Sequence, residues 1–178
     1  MPTWIALLRA VNVGGRSYPM AQLRAVLTEA GYGDVETHIQ TGNVRLTSPL
    51  RSRAKLESEL ERLLSDDRGF TVEVVALTPA ELAGIAADAD ELSEADPPSG
   101  GHYVSVLKTA PTDAGRRTIE TDPPERERVH VRGRAVHLLY DKPYHEARRS
   151  NAAVEKALGT STNRNATVVR ALAAKWGA

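Results

Sequence analysis

Over the first 77 residues the hydrophobic spacing alternates between the two-residue period of a strand and the 3.6-residue period of a helix. The order is β-α-β-β-α-β, and few folds accept it. Thr3 to Arg9 is a short apolar run, the pattern of a strand buried on both faces. Leu23, Val26, Leu27 and Ala30 follow at helical spacing until Gly31 stops them. Val35, Thr37 and Ile39 alternate with polar residues, and after Thr41-Gly42 a second alternating run starts at Val44 and Leu46, which predicts a hairpin. Arg53 to Leu64 aligns Leu56, Leu60, Leu63 and Leu64 on one helical stripe, and Phe70 to Leu77 is again a β-branched run. The arrangement expected is ferredoxin-like, with two helices covering one face of an antiparallel sheet.

The remainder of the chain repeats much of this order. Thr78-Pro79-Ala80-Glu81 is a capping box with proline in the first helical position, predicting a helix to about Ala89. The acidic, Pro- and Gly-rich segment 91–101 is expected to interrupt it as a mobile surface loop. His102 to Lys108 reads as a strand, Asp113 to Ile119 as a helix, and Arg128 to Arg132 with Ala135 to Tyr140 as a hairpin about Gly133-Arg134. Helices are predicted over Asn151 to Leu158 and Asn165 to Trp176. The fold class expected is therefore α+β, with two ferredoxin-like β-α-β-β-α type halves, antiparallel sheets and helices packed on one face. The halves are residues 1–77 and 78–178.

Composition narrows the functional classes. The 23 basic and 23 acidic residues cancel, so no global field attracts nucleic acid or acidic lipid, and an anion site has to be local. The absence of cysteine removes disulfides, thiolate nucleophiles and Cys-based metal sites, and makes the cytoplasm the expected compartment. The N-terminal run has neither a basic leader nor a small-residue cleavage site and reads as a strand, and no apolar stretch approaches the roughly 20 residues of a membrane span. The five histidines show no paired spacing for a metal, and no serine sits in a nucleophile elbow. No metal and no cofactor is expected.

Four polar segments remain, each with two readings. Asn12-Val13-Gly14-Gly15 follows the first strand, where glycine serves a sharp exit or turns main-chain amides toward an anion; Arg9 beside it suits phosphate or carboxylate. Gln40-Thr41-Gly42-Asn43 is a tight turn, in which Gln40 and Asn43 are candidate hydrogen-bonding contacts. Arg148-Arg149-Ser150 precedes a helix that Ser150 would cap, placing two cations beside exposed main-chain donors or simply on the surface. Thr162-Asn163-Arg164-Asn165 is expected to open the last helix, with Thr162 or Asn165 as its cap and Arg164 as a fork for phosphate or base edges.

Together, LLRAVNVGG, THIQTGNVRL, the RRSN segment and TNRNATVV resemble the bacterial family known as domain of unknown function 1697. They span Leu7 to Val169 in the family's order. Members typically read LLRGINVGG and TYIQSGNV, so this chain has Ala10 for glycine, Val11 for isoleucine, His38 for tyrosine and Thr41 for serine. Asn151 stands where the family pattern has lysine, and Ala166 where it has tryptophan. The resemblance implies a two-part ferredoxin-like fold and implies no activity.

The residues favour holding an anion over attacking a bond. The expected function is a binding module for a phosphate-bearing ligand, a nucleotide or RNA, contacted by Arg9, Asn12, Gly14, Gly15, Gln40, Asn43, Arg148, Ser150, Thr162, Arg164 and Asn165. RNA recognition by face stacking is disfavoured, because Asn43 to Thr47 offers no aromatic. Two alternatives stand beside it: an enzyme acting on a small phosphorylated or carboxylated metabolite, with Asp141 or His38 moving protons, and an interaction protein pairing through a sheet edge or helix face.

Overall fold

The computed structural model describes residues 1–178 and divides into two compact units, Met1–Leu82 with Trp176–Ala178, and Ala83–Lys175. The first contains β1 (Thr3–Arg9), α1 (Met20–Glu29), β2 (Gly33–His38), β3 (Asn43–Thr47), α2 (Arg53–Arg68) and β4 (Glu73–Leu77). Its antiparallel sheet has the order β2-β3-β1-β4. Trp4, Ala6 and Leu8 of β1 enter one core with Val44, Leu46, Val74 and Ala76, under Leu23 and Leu27 of α1 and Leu56, Leu60 and Leu64 of α2. Ile5 and Leu7, on the opposite face of β1, are buried as well, beside Val75 and Leu77. Burial on both faces is why β1 reads as an unbroken apolar run.

Local chemistry fixes the ends of these elements. Ser52 caps α2 by accepting a hydrogen bond from the Lys55 main-chain N–H, and Gly69, at φ +73°, ends it in the left-handed conformation. Ile39, expected to extend β2, instead has φ +49° and is exposed, so β2 stops at His38 and the chain turns through Ile39–Gly42.

In the second unit, β5 (Gly101–Leu107), α4 (Asp113–Glu120), β6 (Glu127–Arg132), β7 (Ala135–Tyr140), α5 (Asn151–Leu158) and β8 (Ser161–Asn165) repeat the element order of the first. The sheet order, β6-β7-β5-β8, is also the same, so the chain contains two ferredoxin-like halves in tandem. Leu107, Ile119, Val129, Val131, Val136, Leu138, Tyr140, Val154 and Leu158 form the core between the sheet and α4 and α5. Two helices lie outside the repeat, α3 (Pro79–Ala95) and α6 (Ala166–Trp176). Thr78 and Glu81 form the expected capping box at α3: the Thr78 N–H donates to the Glu81 carboxylate and the Glu81 N–H to the Thr78 hydroxyl, at 2.8 and 3.1 Å.

Two expectations are corrected here. Helix α3 continues past Ala89 to Ala95, because Glu91-Leu92-Ser93-Glu94-Ala95 carries no helix breaker and buries Leu92; of the segment 91–101 only 96–100 is irregular. Residues 162–165 do not open the last helix but belong to β8, which pairs antiparallel with β5 from Ser161↔Leu107 to Asn165↔Tyr103. Helix α6 starts one residue later, and Asn165 is its cap, its Oδ1 accepting the Thr167 N–H at 2.8 Å. No helix is long and apolar enough to cross a membrane.

Candidate functional site

The end of β1 in the first unit gathers six of the candidate residues. The chain leaves Arg9 through Ala10 and Asn12, both left-handed at φ +56° and +55°. The Asn12 side chain then clamps the loop: its Nδ2 donates to the carbonyls of Tyr18 (3.0 Å) and Gln40 (2.6 Å), and its Oδ1 accepts the Tyr18 N–H (2.7 Å). Main-chain bonds from the Asn12 N–H to the Arg16 carbonyl and from the Arg16 N–H to the Val13 carbonyl close a tight turn whose apex, Val13 to Gly15, is exposed. Gly14 and Gly15 have φ +56° and +80°.

The neighbouring turn is locked to the same strand. Gly42 accepts the Leu8 N–H through its carbonyl, and a Cβ at Gly42 would lie 2.7 Å from both Leu8 Cβ and Val11 Cγ2. Asn43 is fully buried, with Nδ2 donating to the His38 carbonyl and the Thr41 hydroxyl. Arg9 pairs with Glu73 of β4 at 3.1 Å. Asn12 and Asn43 thus spend their amides on the protein itself, whereas Gln40 contributes its carbonyl to the clamp and Gly14 and Gly15 stay at the surface.

Beside this loop stands a cationic and aromatic group that sequence reasoning missed. Arg16 donates to the Thr71 carbonyl at 3.3 Å and lies 5.8 Å from the centre of the Phe70 ring. Arg68 lies 5.9 Å from the same ring and 5.2 Å from that of Tyr18, geometry in which the guanidinium faces the ring quadrupole. Asp67 accepts from the Tyr18 hydroxyl at 2.8 Å and from Gln22 at 3.0 Å. Burial, followed by the bond to Asp67, pushes the Tyr18 hydroxyl above the ordinary tyrosine range, so it remains a donor. Arg68 and Phe70 lie more than fifty residues beyond Asn12 in sequence and carry no motif of their own.

The remaining candidates belong to the second unit and play mostly internal roles. The main-chain N–H groups of Arg148 and Arg149, the donors expected for an external anion, go to the buried Glu127 carboxylate at 2.6 and 3.0 Å, with Lys142 Nζ also 3.0 Å away. Burial alone would raise the Glu127 pKa, but these donors outweigh it and hold the group below the usual glutamate value. Ser150 caps α5 as expected, accepting the Ala153 N–H. Arg164 is buried on β8, where its Nη1 donates to the Thr162 hydroxyl and the Asn163 carbonyl at 2.8 Å; burial lowers its pKa to about 10, which leaves it charged at neutral pH. Asn151 holds a small polar network, its Oδ1 accepting from the Ser105 and Ser161 hydroxyls at 2.8 and 2.7 Å. Asp141 is saturated by Ser99 and Arg128 and ties down the loop before β5.

A second group was also not foreseen. On the face of β5 and β7 opposite α4 and α5, His102 Nε2 and His137 Nδ1 are 3.0 Å apart, and His102 Nδ1 is 2.8 Å from the Ser93 hydroxyl of α3. Arg170 of α6 reaches the same hydroxyl at 3.3 Å and pairs with Asp90 at 2.6 Å. Burial lowers His102 to about 3 and His137 to about 4, with the neighbouring ring and nearby arginines adding to the effect, so both imidazoles are neutral at physiological pH. His137 Nε2 is buried without a partner. No group of three or more His, Cys, Asp or Glu residues has the geometry to hold a metal.

Three comparisons bear on this arrangement. The family model described as "Protein of unknown function (DUF1697)" matches residues 1–137. Among solved structures, a conserved bacterial protein, SP0830 from Streptococcus pneumoniae, is similar at 20% identity and a TM-score of 0.72, covering 100% of this chain and 99% of its own. At that identity the likeness speaks for the fold. No curated protein matches the chain.

Proposed function

The chain belongs to the DUF1697 family of proteins of unknown function, and we propose that it is a binding protein for a phosphate-bearing ligand, a nucleotide or the phosphate of an RNA, which sits on the loop between Asn12 and Arg16. The observation that carries this reading is the Asn12 clamp. Three side-chain hydrogen bonds hold the loop in shape while the left-handed glycines Gly14 and Gly15 remain exposed. Successive main-chain N–H groups in such a turn form a concave donor set that suits an anion. Arg16 adds a full charge at the same place, and its stacking against Phe70 limits the ordering cost of using it. The cluster holds a ligand through the main-chain donors of the loop and the Arg16 guanidinium, while the Tyr18 hydroxyl and Asp67 are bonded to each other.

The test is calorimetric titration with inorganic phosphate, mononucleotides and a short single-stranded RNA. One of these should bind saturably, and Arg16→Glu should weaken it about tenfold or more, as expected for loss of a charge-assisted contact. The melting temperature should fall only slightly, since Arg16 is exposed and gives up one hydrogen bond and one ring contact. Absence of heat with every probe, or equal affinity in the variant, would refute the assignment.

A further inference from the structure

Between α4 and α5 of the second unit lies a hollow of about 590 Å³, within the roughly 300–1,000 Å³ of small-molecule sites. It arises where the helices meet: a Cβ on Gly115 would run into the Ala157 carbonyl and the Leu158 side chain, so the two helices approach closely at a glycine. Ala114, Ile119, Ala153 and Ala157 give it an apolar lining, and its only charged lining residues are Arg149 and Lys156. No carboxylate lines it. Of the acidic groups on neighbouring elements, Glu120 is engaged with Arg116 and the Val131 N–H, Glu127 with Lys142, and Glu155 with the Ser161 N–H, while Asp113 stands in the first turn of α4 and is not part of the lining. Arg149 donates from Nη2 to the Thr121 carbonyl, yet its Nε is buried with no acceptor. Two cations and no carboxylate around a largely apolar hollow are complementary to a molecule with an anionic head and a hydrocarbon body.

We propose that this hollow binds a free medium-chain carboxylate, whose head pairs with Arg149 and Lys156 and whose chain covers the alanines and Ile119. The site is independent of the phosphate-binding loop, so either assignment can fail alone. Calorimetry and amide NMR on the whole chain with octanoate, octanol and acetate test it. Octanoate should bind saturably and shift amide signals of α4 and α5, while octanol, lacking charge, and acetate, lacking a chain, should each bind about tenfold or more weakly. Ala153→Leu, which fills the hollow, and Lys156→Gln, which removes a surface charge, should each weaken octanoate; Arg149→Gln should do so most strongly. If the loss of the Thr121 contact unfolds Arg149→Gln, the other two variants decide. No saturable binding at millimolar octanoate, equal binding of octanol, or unchanged affinity in both Ala153→Leu and Lys156→Gln would overturn the proposal.

Discussion

The neutral pair His102 and His137 makes the second unit sensitive to acid in a way that can be worked out beforehand. In the unfolded chain each imidazole titrates near its ordinary value of 6.5, whereas in the fold the values are about 3 and 4. A base whose folded pKa is depressed supplies its stability above the unfolded value and loses it as pH falls below 6.5, because only the unfolded state takes up the proton. Between pH 7 and pH 5 the unfolded ring passes from mostly neutral to almost fully charged. The folded rings, both with values below 5, stay neutral, so the result rests on the unfolded ring alone. The integrated cost is about 2 kcal/mol per histidine and about 4 kcal/mol for the pair. This window also avoids the lowered carboxylates Glu127 and Asp141, whose ordinary values are 4.5 and 3.8. Both tryptophans, Trp4 and Trp176, belong to the first unit, so unfolding in urea at pH 7, 6 and 5 should be followed through amide NMR signals of β5 and β7. The double variant His102→Gln, His137→Gln should lose most of the pH dependence. A loss below about 1 kcal/mol in the unmodified chain, or the same loss in the double variant, would show that the pair is not held neutral by burial.

Three further substitutions probe the frame around the sites. Ala10→Gly should stabilise by about 0.5–1 kcal/mol in urea unfolding, because glycine relieves the left-handed strain at φ +56°, only partly offset by its greater freedom when unfolded; a drop in stability would contradict that conformation. Gly42→Ala should cost about 2–4 kcal/mol, combining left-handed strain with the 2.7 Å approach to Leu8 and Val11, and a neutral melting curve would count against the close packing. Glu127→Gln should cost about 1–3 kcal/mol at pH 7 by weakening two main-chain bonds and stranding Lys142. The difference should shrink as pH falls through the lowered folded pKa of Glu127, where the native carboxylate is itself neutralised; a constant difference from pH 7 to 3 would refute the role of its charge.

Most of the frame was legible because hydrophobic periodicity records which face is buried. The paired faces of β1, the leucine stripe of α2 and the capping box at Thr78 all left such a record. Strand β8 did not, since Ser-Thr-Asn-Arg-Asn contains no apolar residue and its strand state is imposed by pairing with β5. Arg164 is buried there although its side chain is among those most expected outside. The candidate site was legible as a place but not as a division of labour. Turn chemistry marks Asn12 and Asn43 as polar residues at strand ends, yet only three-dimensional contacts show that their amides are consumed within the protein. Arg68 and Phe70 meet Tyr18 and Arg16, and likewise His102 meets His137, through tertiary packing across long stretches of chain and so have no local signature.

The placement of Trp176 has a consequence for the timing of synthesis. The six elements of the first unit are complete at Leu77, but the Trp176 indole, which bonds Glu36 at 3.2 Å and stands edge-on to His38, comes from the far side of the second unit in sequence. At roughly 5–20 residues per second a ribosome needs on the order of 5–20 s to travel from β4 to that tryptophan. Throughout this interval Glu36 and His38 of β2, an edge strand, lack the indole that later contacts them. The nascent first unit therefore presents these two side chains uncovered until residue 176 is made, long after the sheet that carries them is complete.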